Sequence, residues 1–356
     1  MTGTTPFDTL LQIAGGSCLP RCLHAIANLG VADALDDTPQ TAAALAAATG
    51  AEGAALDRVL RLLSAYGVFE HRKGLIAHTP ASRLLRADHP QSMRSLARMF
   101  GLPGLWAAMG ELEYSLRTGS PCADKVLPGG IWGYLSANPE ASRIFDEAMT
   151  AKAHGRVAGV VGADDFSGFS SIADIGGGRG HLLQAVLASA PRATGILFDQ
   201  PHVIKQASGI ASDRLRLQAG DFFRDDLPTC DAYLIMEVIH DWDDEASTKI
   251  LKAIRRGAPA HAKVLLIEAI LPDDPAPSWP KMLDIVMLTI GGHQRTQREY
   301  ANLLTASGFS LLERSTRSEE SRLSRPFRTD RPANPRIQPP SAPSSCEHWR
   351  IWEARL

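Results

Sequence analysis

From about residue 166 to residue 306, short apolar runs alternate with segments of helical periodicity. The apolar runs lie at residues 172–175, 195–198, 215–217, 232–236 and 264–267, and the last two helical patterns lie at residues 282–290 and 297–306. Uninterrupted apolar runs are typical of strands buried on both faces, and helices between them allow parallel pairing. The alternation predicts an α/β domain with a Rossmann-like, doubly wound sheet over residues 166–313, which binds its ligands at the carboxyl ends of the strands.

The preceding part of the chain has a different pattern. Helical spacing covers residues 10–35, 41–49 and 56–66, and two short apolar segments around a polar turn at residues 71–74 predict a β-hairpin. Helix, helix and hairpin form the outline of a winged-helix unit. We therefore expect a mostly α-helical winged-helix domain over residues 1–100, followed by a helical connector at residues 101–165 that forms a pocket wall.

A winged helix is common in DNA-binding proteins, but this one lacks the charge that DNA requires. Basic and acidic residues are nearly equal in number over residues 1–110, and the whole chain has a formal net charge of -2. Binding to a phosphate backbone needs a concentrated basic face. A role in packing or dimerisation is favoured, and a DNA-binding regulator is the alternative from another class.

Composition and cysteine spacing restrict the class of protein further. A chain of 356 residues with 44% hydrophobic residues suits about two globular domains. Its five cysteines are odd in number and contain no C-x-x-C motif, so we predict neither a disulfide framework nor a metal site. No apolar run approaches the roughly 18 residues of a membrane span, and the start does not resemble a secretion signal. We expect a cytoplasmic protein without a membrane or nucleic-acid partner.

After Glu313 the apolar periodicity stops, and Arg, Pro and Ser dominate residues 314–356. This composition predicts a poorly ordered tail. It also resembles a GC-rich gene read out of frame, a hypothesis that resequencing tests.

The strongest local motif is the segment IADIGGGRG at residues 172–180, an apolar strand that leads through glycines into a helix. Glycines let a ligand approach the backbone of such a turn. The dinucleotide pattern G-x-G-x-x-G fits in no register, because His181 or Leu183 occupies its third glycine position. The turn therefore favours a nucleoside-type ligand over a nicotinamide dinucleotide, with a purely structural turn as the alternative.

Acidic and aromatic residues follow the next two strands. Asp199 ends the second strand, where a carboxylate can accept hydrogen bonds from two ribose hydroxyls. Asp221 and Phe222 follow the third strand, where they can bind the amino group and cover the ring of adenine. Helix capping, turn formation and core packing are the alternatives at these positions. Together, on successive strand–helix units, the three residues predict an adenosine cleft.

The fourth strand leads into the segment IHDWDDE at residues 239–245. His240, at the carboxyl end of a central strand, is placed to accept a proton near neutral pH. Glu268 ends the next strand and can orient that imidazole, as the acid member of a catalytic triad does. A buried Glu held by backbone donors is the alternative for Glu268.

These motifs together resemble the S-adenosylmethionine-dependent O-methyltransferases of the caffeate and bacterial polyketide type, the class II small-molecule enzymes. The resemblance covers about residues 10–313, including a dimerisation domain at the winged helix. The motifs that carry it are DIGGGRG (174–180), FDQP (198–201), GDFF (220–223), IHDWDDE (239–245) and GGHQRT (291–296).

The resemblance implies a homodimer that methylates a hydroxyl of a small aromatic secondary metabolite, by in-line displacement with S-adenosylmethionine as cofactor. It implies that His240 removes the hydroxyl proton with support from Glu268. The cofactor-binding residues that it implies are Asp174, Gly176, Gly178, Asp199, Asp221 and Phe222. The acceptor-binding residues that it implies are Met149, Asp241, Trp242, Asp284 and Met287.

Two positions and the tail after Glu313 depart from the family pattern. The tail replaces what should be a closing β-hairpin and last strand. Met236 stands where many members have a Lys or Arg near the cofactor, and Gln294 stands where the plant enzymes have a second catalytic Glu. The alternative within the family is a member that binds the cofactor without methyl transfer, as in hydroxylase-like or decarboxylase-like relatives. Retention of His240 and Glu268 favours methyl transfer.

Overall fold

The computed structural model describes residues 5–311 and 349–355. The chain divides into two compact units, Met1–Gly159 and Val160–Leu356. The predicted start of the catalytic domain at residue 166 lies close to this division, and the finer separation of residues 1–100 from residues 101–165 stays a prediction.

The first unit is mostly helical and contains a small antiparallel sheet. Strands β1 (Gln40–Thr41), β2 (Phe69–Arg72) and β3 (Leu75–His78) pair in the order β1-β3-β2. Its helices are α1 (Pro6–Ala14), α2 (Cys18–Leu29), α3 (Val31–Ala34), α4 (Ala42–Thr49), α5 (Gly53–Ala65), α6 (Pro80–Arg83), α7 (Arg94–Phe100), α8 (Pro103–Gly110), α9 (Leu112–Thr118), α10 (Cys122–Val126), α11 (Gly130–Ala137) and α12 (Pro139–Ala163), which runs across the division.

Local capping explains the helices of the winged-helix part. The Thr41 hydroxyl accepts a hydrogen bond from the N–H of Ala44 at the start of α4, and Gly50 ends this helix in the left-handed region at φ 70°. The predicted outline of two helices and a hairpin is confirmed by α4, α5, β2 and β3. Strand β1 was not predicted, because two residues are too short to show a period.

The second unit alternates strands and helices, as predicted. Its strands are β4 (Ser171–Ile175), β5 (Thr194–Asp199), β6 (Leu215–Ala219), β7 (Ala232–Met236), β8 (Lys263–Ala269), β9 (Ser310–Leu311) and β10 (Trp349–Arg355). Its further helices are α13 (His181–Ser189), α14 (Pro201–Gln206), α15 (Asp244–Gly257), α16 (Trp279–Ile290) and α17 (Gln297–Ala306), with 3₁₀ turns at Phe166–Gly168, Ser208–Ile210 and Ile239–Asp241.

The sheet of this unit has the order β6-β5-β4-β7-β8-β10-β9. Strands β4 to β8 are parallel, with β4 paired to β5 on one side and to β7 on the other. The chain therefore reverses its direction of winding between β4 and β7. At such a switch point the loops on the two sides diverge, which opens a cleft at the carboxyl ends of these strands.

Strand β10 corrects the prediction for the tail. Trp349–Arg355 pairs antiparallel with Lys263–Ala269 over its full length, and Ala354 is fully buried. The last strand is thus present, since backbone pairing on an existing sheet edge orders a segment whose composition alone predicts disorder. Residues 314–348 of the predicted tail, with the out-of-frame hypothesis for them, lie outside the described residues.

Within residues 5–311 and 349–355, no helix is long and apolar enough to cross a membrane. The same part of the chain contains no cluster of three or more metal-ligating side chains.

Candidate active site

The glycine-rich turn after β4 is closed on one side and open on the other. Gly176 has φ 70°, and its N–H donates to the carbonyl of Phe198 at 2.8 Å. A Cβ at this position would lie 2.8 Å from Val238, so only glycine fits. Gly178 has φ 59°, and a Cβ there would have no atom within 4 Å. The backbone at Gly178 is therefore open to a ligand.

Asp199 lies beside this turn at the end of β5. Its Oδ2 accepts a hydrogen bond from the N–H of Gly178 at 2.8 Å, and its Oδ1 accepts one from the N–H of Gln200 at 2.7 Å. The predicted ribose carboxylate and the predicted glycine turn are thus in direct contact. The two hydrogen bonds hold the carboxylate at the mouth of the turn.

Asp174 lies beneath the turn and is only 1% exposed. Its Oδ2 has no hydrogen-bond partner among the described residues. Burial, and secondly the negative charge of Asp199, raise the pKa of Asp174 to about 7. A buried carboxyl oxygen without a partner is costly, so the site favours a ligand that supplies a donor or a positive charge.

Three aromatic rings form a cluster after β6 and β7. The centroid of Phe223 lies 4.8 Å from that of Phe222 and 4.7 Å from that of Trp242, all at edge-on angles. Asp221 is engaged in the turn itself, since its Oδ1 accepts a hydrogen bond from the N–H of Phe223 at 2.9 Å. The fold thus brings the predicted adenine-binding Phe222 next to the predicted acceptor-binding Trp242. The adjacent Phe223 was not predicted.

The imidazole of His240 and the carboxylate of Glu268 form a buried pair. His240 is 4% exposed and Glu268 is fully buried, with 2.7 Å between Nδ1 and Oε2. The second oxygen, Oε1, accepts hydrogen bonds at 3.1, 2.9 and 3.4 Å from the consecutive backbone N–H groups of residues 238–240. Glu268 therefore both orients the ring and holds the 3₁₀ turn that carries it.

The other side of the ring faces a second carboxylate. Oδ1 of Asp241 lies 3.4 Å from Nε2 of His240. An ionised carboxylate only accepts hydrogen bonds, so Glu268 places the proton of a neutral ring on Nδ1. Nε2 then carries the lone pair, as a general base requires. The preceding residue Glu237 has φ 55°, a rare conformation for a residue other than glycine that is common at functional sites.

Arg295 holds the backbone around this turn and was given no role in the sequence prediction. It is fully buried, and its guanidinium donates to the carbonyls of Ile239 at 3.1 Å and Trp242 at 2.9 Å. It also binds Asp244 at 2.7 Å and the Ser247 hydroxyl at 3.3 Å. Five donors in one planar fork suit this set of acceptors. The motif GGHQRT showed the residue, but only the fold shows its partners.

Helix α16 and the loop that follows it carry the remaining predicted positions. Met287 is 6% exposed, and its carbonyl accepts hydrogen bonds from the N–H groups of Gly291 and Gly292. Oδ1 of Asp284 accepts a hydrogen bond from the N–H of Gln294 at 2.8 Å. Met149 belongs to α12 in the first unit, and its role in acceptor binding stays a prediction.

The fold and these groups define an α/β domain whose nucleoside-type cleft ends at a buried imidazole–carboxylate pair, which is the arrangement of a group-transfer enzyme. Residues 111–310 match the model of the O-methyltransferase domain, and residues 11–88 match that of the O-methyltransferase dimerisation domain. The chain belongs to this family of O-methyltransferases.

Named relatives agree with this assignment. The phenazine O-methyltransferase PhzM of Lysobacter antibioticus is 40% identical over 318 residues, which cover 87% of this chain and 93% of that protein. The mitomycin biosynthesis 6-O-methyltransferase of Streptomyces lavendulae is 35% identical, with coverage of 85% and 89%. The structure of CalO1, a methyltransferase in calicheamicin biosynthesis in its S-adenosylhomocysteine-bound form, is 32% identical with a TM-score of 0.75 and covers 87% of this chain and 96% of that chain. The predictions of the family, fold class and enzyme class are confirmed.

Proposed function

We propose that this chain transfers a methyl group from S-adenosylmethionine to a hydroxyl of a small aromatic secondary metabolite, with His240 as the general base. The observation that carries the proposal is the buried His240–Glu268 pair, which lies at the same edge of the sheet as the glycine turn. The names of the relatives, which are O-methyltransferases of secondary metabolism, support the same reaction class.

The residues around the glycine turn fit the cofactor. Asp174 offers a buried carboxyl oxygen to a group that carries a positive charge, and S-adenosylmethionine carries an ammonium and a sulfonium. Asp199 presents its carboxylate at the mouth of the turn, where ribose hydroxyls can donate to it. Gly178 leaves room for the ligand beside its backbone. Asp221 and Phe222 are the proposed adenine contacts.

When bound, S-adenosylmethionine supplies a methyl group that its sulfonium has already activated for in-line displacement. The protein must align the acceptor oxygen and remove its proton. Nε2 of His240 takes that proton, because Nδ1 donates to Glu268. The resulting imidazolium lies between the carboxylates of Glu268 at 2.7 Å and Asp241 at 3.4 Å, which stabilise its charge.

The acceptor is proposed to bind beside Trp242 and Asp241, with Asp284 and Met287 of α16. Aromatic and thioether side chains suit a flat aromatic acceptor. Asp241 lies on the 3₁₀ turn and Trp242 directly follows it. Helix α16, which carries the other two residues, packs against that turn.

We also propose that the protein is a homodimer, without a nucleic-acid or membrane partner, in the cytoplasm. Within the described residues, α1 buries none of its side chains, and Phe7, Leu10 and Ile13 are 74%, 69% and 72% exposed. A helix with this much exposed apolar surface favours burial against another chain. The match of residues 11–88 to a dimerisation domain supports a second copy as that chain.

Calorimetric titration with S-adenosylmethionine, S-adenosylhomocysteine and NAD tests the cofactor. We expect the first two to bind and NAD not to bind. Asp199→Ala should abolish binding, whereas Asp213→Ala, an exposed change in the same unit, should not alter it. A folded protein that binds NAD, or that binds none of the three, contradicts the proposal.

Methyl transfer needs a second measurement, because a non-methylating family member would also bind the cofactor. Transfer of a labelled methyl group to a panel of phenols should be detectable and should fall strongly in His240→Ala, while calorimetry shows unchanged cofactor binding. Binding of the cofactor without transfer to any phenol would favour the non-methylating alternative.

A further inference from the structure

Gln294 is a buried amide without a partner. The residue is only 2% exposed. Neither Oε1 nor Nε2 of its side chain has a hydrogen-bond partner among the described residues. A primary amide offers two donors and two acceptor lone pairs, and leaving all of them unused in a protein interior is costly. Such a group calls for a partner, and a bound ligand can supply one.

The loop around Gln294 is held directly against the turn that carries His240. A Cβ at Gly292 would collide with the backbone of His240 and Asp241. Arg295 binds the carbonyls of residues 239 and 242, on both sides of that histidine. The N–H of Gln294 itself is bound to Asp284 on α16. The backbone at Gln294 is thus fixed beside the proposed base, and the two polar atoms of its side chain have no partner among the described residues.

We propose that the Gln294 amide recognises an amide edge of the acceptor, an N–H beside a C=O, as in a carboxamide or lactam next to the hydroxyl that is methylated. This inference rests on the proposed function and specifies its acceptor. An amide edge satisfies both polar atoms at once, since its N–H donates to Oε1 and its C=O accepts from Nε2. A carboxylate or a ketone only accepts and leaves Oε1 unpaired, and an ammonium only donates.

The same geometry predicts which acceptors the site rejects. A site with a buried hydrogen-bonding group rejects a ligand that lacks the complementary group, because the site is then left unpaired. The amide is uncharged, so its preference should not depend on pH. A glutamate at this position has no donor, and its negative charge would oppose a carbonyl oxygen.

The test uses two probes of nearly the same shape, salicylamide and 2-hydroxyacetophenone, which differ only by an NH₂ in place of a CH₃. Binding of each to the S-adenosylhomocysteine-loaded full chain is measured by calorimetry. We expect salicylamide to bind about tenfold more tightly or better. Gln294→Met, which keeps the length and removes both polar atoms, should abolish this preference. Gln297→Met, at an exposed position of α17, is the matched control and should retain it.

Thermal unfolding separates recognition from a structural role. Replacing an unsatisfied amide with an apolar side chain of the same shape should leave the melting temperature of the ligand-free protein unchanged or raise it. If Gln294→Met does not fold, Gln294→Glu replaces it and should likewise lose the preference. Equal binding of the two probes, binding of neither, or a preference that persists in both variants would overturn the inference. Failure of the wild-type chain to bind S-adenosylhomocysteine would instead count against the proposed function.

Discussion

The replacement Asp174→Asn should change how the stability of the cofactor-free protein depends on pH. The carboxyl of Asp174 is buried, and its pKa in the folded protein is about 7, against 3.8 for an ordinary Asp. Between these values the folded state holds one proton that the unfolded state has lost. Stability therefore falls as pH rises through this range, and the loss is nearly complete at about pH 8, one unit above the folded pKa. Asn has the same shape and no proton to lose.

The size of the effect follows from the shift. One pKa unit corresponds to about 1.4 kcal/mol, so the full shift is worth on the order of 4 kcal/mol. Between pH 5 and pH 7 the wild-type protein should lose about 2.3 kcal/mol relative to Asp174→Asn, because about half of the folded molecules still hold the proton at pH 7. Above about pH 8 the difference between the two proteins should stay nearly constant.

Urea unfolding of both proteins at a series of pH values from 5 to 8, followed by circular dichroism, measures this difference. Every other titratable group is shared by the two proteins, so the difference isolates Asp174. Asp213→Asn, at an exposed position, is the control and should give no pH-dependent difference. Asp199→Asn removes the second cause of the raised pKa and should move the inflection to lower pH. A difference that stays flat from pH 5 to 8, or slopes the other way, would refute the reasoning.

Three further changes have defined outcomes. His240→Asn should lower kcat by about 10²- to 10⁴-fold, the usual contribution of a general base, and stopped assays with a labelled methyl donor measure it; an unchanged kcat would exclude His240 as the base. Arg295→Met removes the charged donor of two carbonyls that also accept from the Ser247 hydroxyl, and it should lower the free energy of unfolding by about 3 kcal/mol, measured by urea unfolding; a loss below about 0.5 kcal/mol would mean that the remaining donors and water replace the guanidinium. Leu10→Asp should convert the proposed dimer to a monomer in light scattering, whereas Gln12→Asp on the same helix should not; a dimer in both variants would place the interface elsewhere.

Most of the elements of the second unit could be predicted because their information is local. Ala232–Met236 and Gln297–Ala306 have the predicted bounds, since an apolar run and a helical period are read from neighbouring residues. The motifs that follow each strand could also be placed on one edge of the sheet, once the strands were predicted to be parallel. In parallel strands all carboxyl ends meet there.

The last strand shows the limit of local reasoning. Trp349–Arg355 is far along the chain from its partner Lys263–Ala269, and its own composition predicts a tail. Pairing between segments so far apart in sequence depends on an open sheet edge. A short stretch of sequence gives no information about such an edge. The prediction of a tail is therefore wrong at residues 349–355.

The candidate site also has features that the sequence predicts and features that only the fold shows. Residue types and spacing were enough to name His240, Glu268 and Asp199 as candidates. The 2.7 Å contact of the imidazole with Glu268, the raised pKa of Asp174, the partners of Arg295 and the unsatisfied amide of Gln294 emerged only from the folded chain. Adjacent residues determine the local pattern of strands and helices. Burial and hydrogen-bond partners depend on segments that only folding brings together, and this burial and these partners set the chemistry of the site.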